Sequence, residues 1–264
     1  MLARMTHWMR FEYKGRPGFG ALEDERVHVH RGDLFARPEP TGETLPLAEV
    51  QWAPPCVPSK FLGIAYNSRA VLAKQGMQPP ALPFYFIKAA SCVIAPGAEF
   101  RAPRSHAGRI VFEAELGIVI GRRARSLAPE QAAQAIFGYT CVNDVTALDL
   151  ITQEPAQWTR AKSFDGFGPF GPVIATGLDP AGLSVRALVN GRERQNYPVS
   201  DLVFSPLELV SQLSHDLTLE PGDVIACGTS LGVGALKPGT TVEIEIAGIG
   251  VLRNSFAAEG AVAH

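Results

Sequence analysis

The eleven residues VFEAELGIVIG, at positions 111–121, constrain the fold of this chain more than any other stretch. Their apolar and β-branched content, their length and the closing Gly121, Arg122 and Arg123 predict a buried β-strand. Set into that run are two acids, Glu113 and Glu115, at i and i+2, a spacing that points both side chains to one face of a strand. Two carboxylates converging in an apolar setting repel, so one holds a proton or both share a cation. A hard divalent ion, Mg²⁺, Mn²⁺ or Ca²⁺, satisfies both with oxygen ligands. The alternative is an edge strand with both glutamates in water, and the residues downstream decide between the two.

At 264 residues the chain is long enough for one large domain, or one large and one small, around a proper core. Its net charge of −2, with both signs scattered, gives no basic run and argues against nucleic acid as a partner. No apolar stretch approaches the roughly 18–20 residues that span a bilayer, and the opening segment has no signal-peptide core, so a cytoplasmic protein is expected. Cys56, Cys92, Cys141 and Cys227 lie far apart without metal-type spacing and read as reduced packing residues.

Residues 1–56 read as a small β-rich domain, closed by the proline-rich linker WAPPCVPSK with Pro54, Pro55 and Pro58; residues 57–264 read as the second domain. His28 and His30, at i and i+2, have chelating spacing but no third ligand nearby, and read as a solvated hairpin face. KFLGIAYN predicts a strand and SRAVLAKQG a short helix or loop ending at Gly76; FYFIKAASCVIAPG predicts two more short strands. Glu99 to Arg109 reads as a loop carrying His106 toward the two acids. SLAPEQAAQAIFG predicts a helix from a capping Ser126, with Pro129 in its first turn, to Gly138. YTCVNDVTALDL then predicts a strand ending at Asn143 and Asp144. QWTRAKSFDGFGPFGPVI brings Arg160, Lys162 and Asp165 into a glycine-rich loop. The remainder is a helix over SPLELVSQLSHDL and strands joined by NG- and PG-type turns. Many strands with two or three helices indicate an α+β, β-dominated fold.

Two motif matches carry less weight. GFGPFG at 166–171 fits a dinucleotide-binding pattern, but Pro169 interrupts it and no helix opens after it. GTSLG at 228–232 fits a serine nucleophile elbow following the strand-like DVIAC. An elbow leads straight into a helix, which VGALKPG opposes, so a serine hydrolase is the rival class, distinguished by indifference to EDTA.

Taken in order, the strand ExE, GYT..ND, WTRAKSFD, TLEPGDVIACGT..GVG and EIAGIGVLRN resemble the fumarylacetoacetate hydrolase family over about 200 residues, from Lys60 to Phe256. The resemblance implies a catalytic domain of twisted mixed β-structure, a β-roll or flattened barrel, with a smaller N-terminal domain, working as a homodimer. It also implies one Mg²⁺ or Mn²⁺ held by Glu113, Glu115 and Asp144, with Lys162 beside the substrate and Thr229 at a substrate carboxylate. Three carboxylates leave about half of an octahedral ion's positions for a 2-oxo acid. Lys162 can then bind the enolate oxygen or move a proton. Thr229 can donate its hydroxyl or N–H.

Departures from the family narrow the chemistry. Hydrolytic members carry a His and a Glu in a short lid patterned N-Y-x-x-H-x-x-E; here residues 67–74 read NSRAVLAK, with Val71 and Lys74 at those places. Leu148 stands where many members have a substrate arginine, and Ser230 where a proline is usual. C–C hydrolysis is then disfavoured unless Arg69, Lys74 or His106 supplies the missing groups. The chemistry that survives is isomerisation or decarboxylation of a small 2-oxo or 2-hydroxydienoic acid, as in aromatic-compound catabolism. A C–C hydrolase and a ligand-binding relative with little turnover are the alternatives, and residues 68–76 are the candidate lid.

Overall fold

The computed structural model describes residues 5–106 and 108–257. Among the described residues the strands form three sheets, mixed rather than closed into a barrel. In the largest, neighbouring strands run Glu39–Pro46, Arg26–Arg31, Arg16–Glu23, Thr6–Tyr13, Gly168–Thr176, Ile136–Asn143, Ala114–Ile120, Val224–Ala226, Phe61–Ala65 and Phe84–Lys88. Its ladders are antiparallel except where Val224–Ala226 lies parallel to Phe61–Ala65 and Val93–Ile94 lies parallel to the start of Gly168–Thr176. The second runs Arg192–Pro198, Ser184–Val189, Thr240–Ile246, Gly250–Ala257 and Glu99–Arg101. The third joins Thr146–Ala147, Ile110–Phe112 and Gly234–Ala235. The fold is β-dominated, as the many strand-like runs predict. The N-terminal strands continue the largest sheet: Thr6 pairs with Thr176 and Trp8 with Ile174.

Ala114–Ile120 sits in the middle of that sheet, antiparallel to Ile136–Asn143 on one side and Val224–Ala226 on the other, and every residue in it is buried. The edge-strand alternative therefore fails. Leu116, Ile118, Val119 and Ile120 each hide a side chain worth about 1.5–3 kcal/mol of burial, enough to keep Glu115 inside with them. The eleven residues are, however, two strands. Ile110–Phe112 pairs with Thr146–Ala147 and Gly234–Ala235 in the small sheet, and the chain crosses to the large sheet at Glu113. The seam is satisfied locally: the Glu113 N–H donates to Asn143 Oδ1 at 3.1 Å and the Asp144 N–H donates to Glu113 O at 2.9 Å.

Other boundaries shift for tertiary reasons. The helix expected over 126–138 spans only Pro129–Ala135, because residues from Ile136 onward pair with Val119 and Ile120; Ser126, at φ 51°, donates its N–H to Ser214 O rather than capping. Part of the expected 99–109 loop is strand, with Glu99–Arg101 parallel to the end of Gly250–Ala257. Residues of GFGPFG open the Gly168–Thr176 strand, and no helix follows. The helices Arg69–Gln75 and Pro206–Asp216 form where expected, capped by Ser68 and by a Ser205–Glu208 capping box. His30 packs edge-on against Trp8, and its Nδ1 bonds to His28 O. No helix among the described residues is long and apolar enough to cross a membrane.

All four cysteines are free and buried. Burial pushes the Cys56 thiol up to about 12 and Cys92 to about 11, and raises Cys141 and Cys227 as well. At pH 8 the native protein is expected to react with a soluble aromatic disulfide reagent only as fast as it opens, whereas denaturant releases all four thiols. Fast labelling of the native protein would contradict this packing.

Candidate active site

The seam at Glu113, the first turn of the central strand and the end of Ile136–Asn143 meet at one point. There Glu113, Glu115 and Asp144 each bring a carboxylate oxygen within 4.8 Å of the others. Glu115 and Asp144 are 1 % exposed, and Glu113 is half-buried. Two lysines enter the same space. Lys162, closing the short helix Trp158–Lys162, donates from Nζ to Glu113 Oε2 at 2.7 Å and Asp144 Oδ2 at 2.5 Å. Lys88, at the end of Phe84–Lys88, donates to Asp144 Oδ1 at 2.6 Å and to Lys162 O. The Thr146 hydroxyl lies 3.0 Å from Glu113 Oε1.

Three carboxylates and two ammonium groups leave one negative charge in excess, and the environment decides where it weighs most. Burial, then the neighbouring Asp144 and Glu113 charges, raise Glu115 well above the usual carboxylate range; Glu113 is raised too, by burial that outweighs Lys162. Burial also works against ionised Asp144, but Lys162 and Lys88 together hold it below its ordinary value. Lys162 is the converse: burial disfavours its charge, and the surrounding carboxylates, Asp144 first, raise its pKa. Glu115 is bonded by a backbone group instead, the Gly228 N–H at 2.6 Å. That approach uses φ +99° at Gly228, where a Cβ would meet Asn67 Cβ at 2.9 Å. An all-oxygen donor set, buried and convergent, fits a hard divalent cation.

Glu113 and Lys162 form part of the lining of a cavity of about 510 Å³. Val71 and Lys74, from Arg69–Gln75, line it as well, so the helix expected as a lid does border the site; Leu148 lines it too. Of the three substitutes for the missing groups, only Lys74 is there. Arg69 lines a separate cavity of about 670 Å³ that contains none of the three carboxylates, and bonds to Val203 O. His106 is absent from the lining, and its Nε2 is buried without a hydrogen-bond partner beside Gly108 and Asp149. Arg160 pairs with Glu154 at the surface.

Thr229 lines the cavity, but its hydroxyl bonds to Ala114 O at 3.0 Å and lies 2.9 Å from Gln195 Nε2. Of the two donors considered for this residue, the hydroxyl is thus engaged within the protein. Ser230 Oγ lies 3.0 Å from Ser68 Oγ and 3.2 Å from Asp201 Oδ2, with no histidine among its partners and no helix after it. This is not the geometry of a nucleophile elbow.

Two residues of the site were not singled out in the sequence. Lys88 carries a readable signal, since it is in phase with buried Phe86 on one face of its strand. Gln195 orders the 228–232 loop through Thr229 Oγ1, Ser230 O and Leu231 O, while its Oε1 accepts from Ala114 N–H. Its only hint is the burial it shares with Tyr197 at i+2.

Asp201 fastens the cavity-lining helix. Its Oδ2 accepts from the Ser68 hydroxyl at 2.6 Å and its Oδ1 from the Ala70 N–H at 3.2 Å, while Ser68 caps the helix by accepting from Val71 N–H. Asp201→Ala removes the acceptor shared by two buried hydroxyls, which keep each other as partners, and leaves a helix N–H unpaired; it is expected to cost about 1–3 kcal/mol in urea denaturation. An unchanged midpoint would contradict that role.

Comparison with known proteins places the chain. A family model described as fumarylacetoacetate (FAA) hydrolase C-terminal matches residues 60–257. The chain belongs to the fumarylacetoacetate hydrolase family. A second model, Rv2993c-like N-terminal, matches residues 6–55. A protein of Archaeoglobus fulgidus is 44% identical over 214 residues, covering 81% of this chain and 85% of the relative. Among solved members of the fumarylacetoacetate hydrolase fold, a 2-hydroxyhepta-2,4-diene-1,7-dioate isomerase from Mycobacterium marinum has TM-score 0.89 at 35% identity, covering 97% of this chain and 100% of its own. A fumarylpyruvate hydrolase from Pseudomonas aeruginosa, in complex with Mn²⁺ and pyruvate, has TM-score 0.71 at 28% identity, covering 83% and 93%.

Proposed function

We propose that this chain is a divalent-cation-dependent enzyme that isomerises or decarboxylates a small 2-oxo or 2-hydroxydienoic acid in aromatic-compound catabolism. The observation that carries the reading is the cavity: it opens onto Glu113 and Lys162 beside the carboxylate cluster, and among the described residues its lining holds no histidine and no acid other than Glu113. Glu113, Glu115 and Asp144 would hold Mg²⁺ or Mn²⁺. The isomerase neighbour and the Mn²⁺ and pyruvate in the hydrolase neighbour support that assignment.

A hard cation bound there supplies positive charge to the carboxylate and keto oxygens of a 2-oxo acid. The chain's own residues do the rest. Lys162 Nζ, beside Glu113 in the cavity lining, donates a hydrogen bond to the enolate oxygen, and can give a proton to carbon and regain one from the dienol O–H. In isomerisation the dienol O–H proton leaves and one proton arrives on carbon, so the atoms balance without added water. Decarboxylation breaks the bond to a carboxylate on the carbon next to the keto group; carbon dioxide leaves, and a proton takes its place. Phe86, with Lys162 Nζ 5.0 Å from its ring centroid, and Trp158 narrow the approach of water.

C–C hydrolysis is the second reading, favoured by the hydrolase neighbour. It needs an activated water, and the lining offers Val71 and Lys74 where a base is required. With Mg²⁺ present, a 2-hydroxydienoate is expected to convert to its 2-oxo isomer, followed by loss of dienol absorbance. Rapid pyruvate release from a fumarylpyruvate-type substrate would overturn the isomerase reading. Ligand-induced stabilisation without any product would leave a binding protein.

A further inference from the structure

We infer that the part of the substrate remote from the reacting 2-oxo acid is uncharged and apolar; this rests on the proposed 2-oxo acid chemistry at the same site. Away from Glu113 and Lys162, the cavity is lined by the apolar side chains of Val71, Leu148, Ile151, Trp158, Leu231 and Val233. They come from three helices and the 228–233 loop, so apolar groups reach the cavity from several sides. Trp158 is fixed in place by Phe86 at 5.5 Å and Tyr66 at 5.8 Å between ring centroids, which presents a rigid aromatic surface to a tail.

Apart from Tyr66, Lys74 and Gln75, the polar side chains in the lining are committed within the protein. Lys162 is bound to Glu113 and Asp144. The Asn67 amide nitrogen bonds to Phe204 O and Cys227 O, Ser68 and Ser230 bond to Asp201, and the Thr229 hydroxyl bonds to Ala114 O. The remaining cation is Lys74, exposed in the last turn of its helix, where water screens its charge. A second carboxylate pushed against Leu148 and Ile151 would lose its hydration without gaining a buried partner. An alkyl, alkenyl or aryl tail would instead gain burial, about fourfold in affinity per methylene.

The test is calorimetric binding of 2-oxohexanoate, phenylpyruvate and 2-oxoadipate to the Mn²⁺-supplemented full chain, with solvent-proton exchange at C3 of each followed by NMR. The expected result is 2-oxoadipate binding at least about tenfold more weakly than 2-oxohexanoate. Leu148→Arg should narrow or reverse that ratio by tightening 2-oxoadipate. Tighter binding of 2-oxoadipate to the unaltered chain would overturn the inference, and so would failure of all three to bind. Apolar-tailed acids that bind without C3 exchange would support the inference while removing the proposed enolate chemistry. Exchange with a preference for 2-oxoadipate would do the reverse.

Discussion

Lys88→Met is expected to destabilise the cation-free protein by about 3–5 kcal/mol, because it removes one partner of a fully buried ion pair and leaves Asp144 Oδ1 without its ammonium. Methionine keeps most of the volume, so the loss is electrostatic rather than a cavity effect. Saturating Mn²⁺ should recover much of the stability, since binding to the folded state alone raises it by mass action and restores positive charge beside Asp144. Urea denaturation with and without Mn²⁺ reads both. A variant as stable as the parent without metal would show that Asp144 does not depend on Lys88.

Lys162→Met should act on turnover rather than on cation capture. Its ammonium bonds to Glu113 and Asp144 at the cavity and is the proposed proton carrier between the dienol oxygen and carbon. Loss of a positioned proton donor lowers kcat by about a hundred- to ten-thousandfold. Cation affinity should hold or rise, because removing a positive charge from the carboxylate cluster leaves it more negative. Single-turnover isomerisation with a 2-hydroxydienoate, measured alongside Mn²⁺ binding, separates the effects. A rate within about fivefold of the parent would assign the proton to another group.

The convergence of Glu113 and Glu115 was legible from their i, i+2 spacing, although Glu113 lies at the crossing just before the strand that carries Glu115, and Asp144 followed from the ordered motif blocks. The crossing between sheets at Glu113 was not legible, since Ile110–Phe112 and Ala114–Ile120 differ in their pairing partners and not in their composition. Helix 129–135 was read too long for a related reason: sheet pairing at Ile136 prevails over local helix propensity. Val71, Lys74 and Leu148 were marked as departures and do face the cavity, while Arg69 and His106, close to the site in sequence, do not. Gln195 escaped because its role comes from three long-range bonds, which no local pattern encodes.

The most direct test is isothermal titration of Mn²⁺ into the metal-free full chain and into Glu113→Ala and Glu115→Ala. One cation per chain is expected in the parent, with affinity reduced at least about a hundredfold in each variant, since the remaining oxygens cannot replace a lost carboxylate. No heat of binding in the parent, or variants that titrate like it, would contradict a shared cation at these three acids.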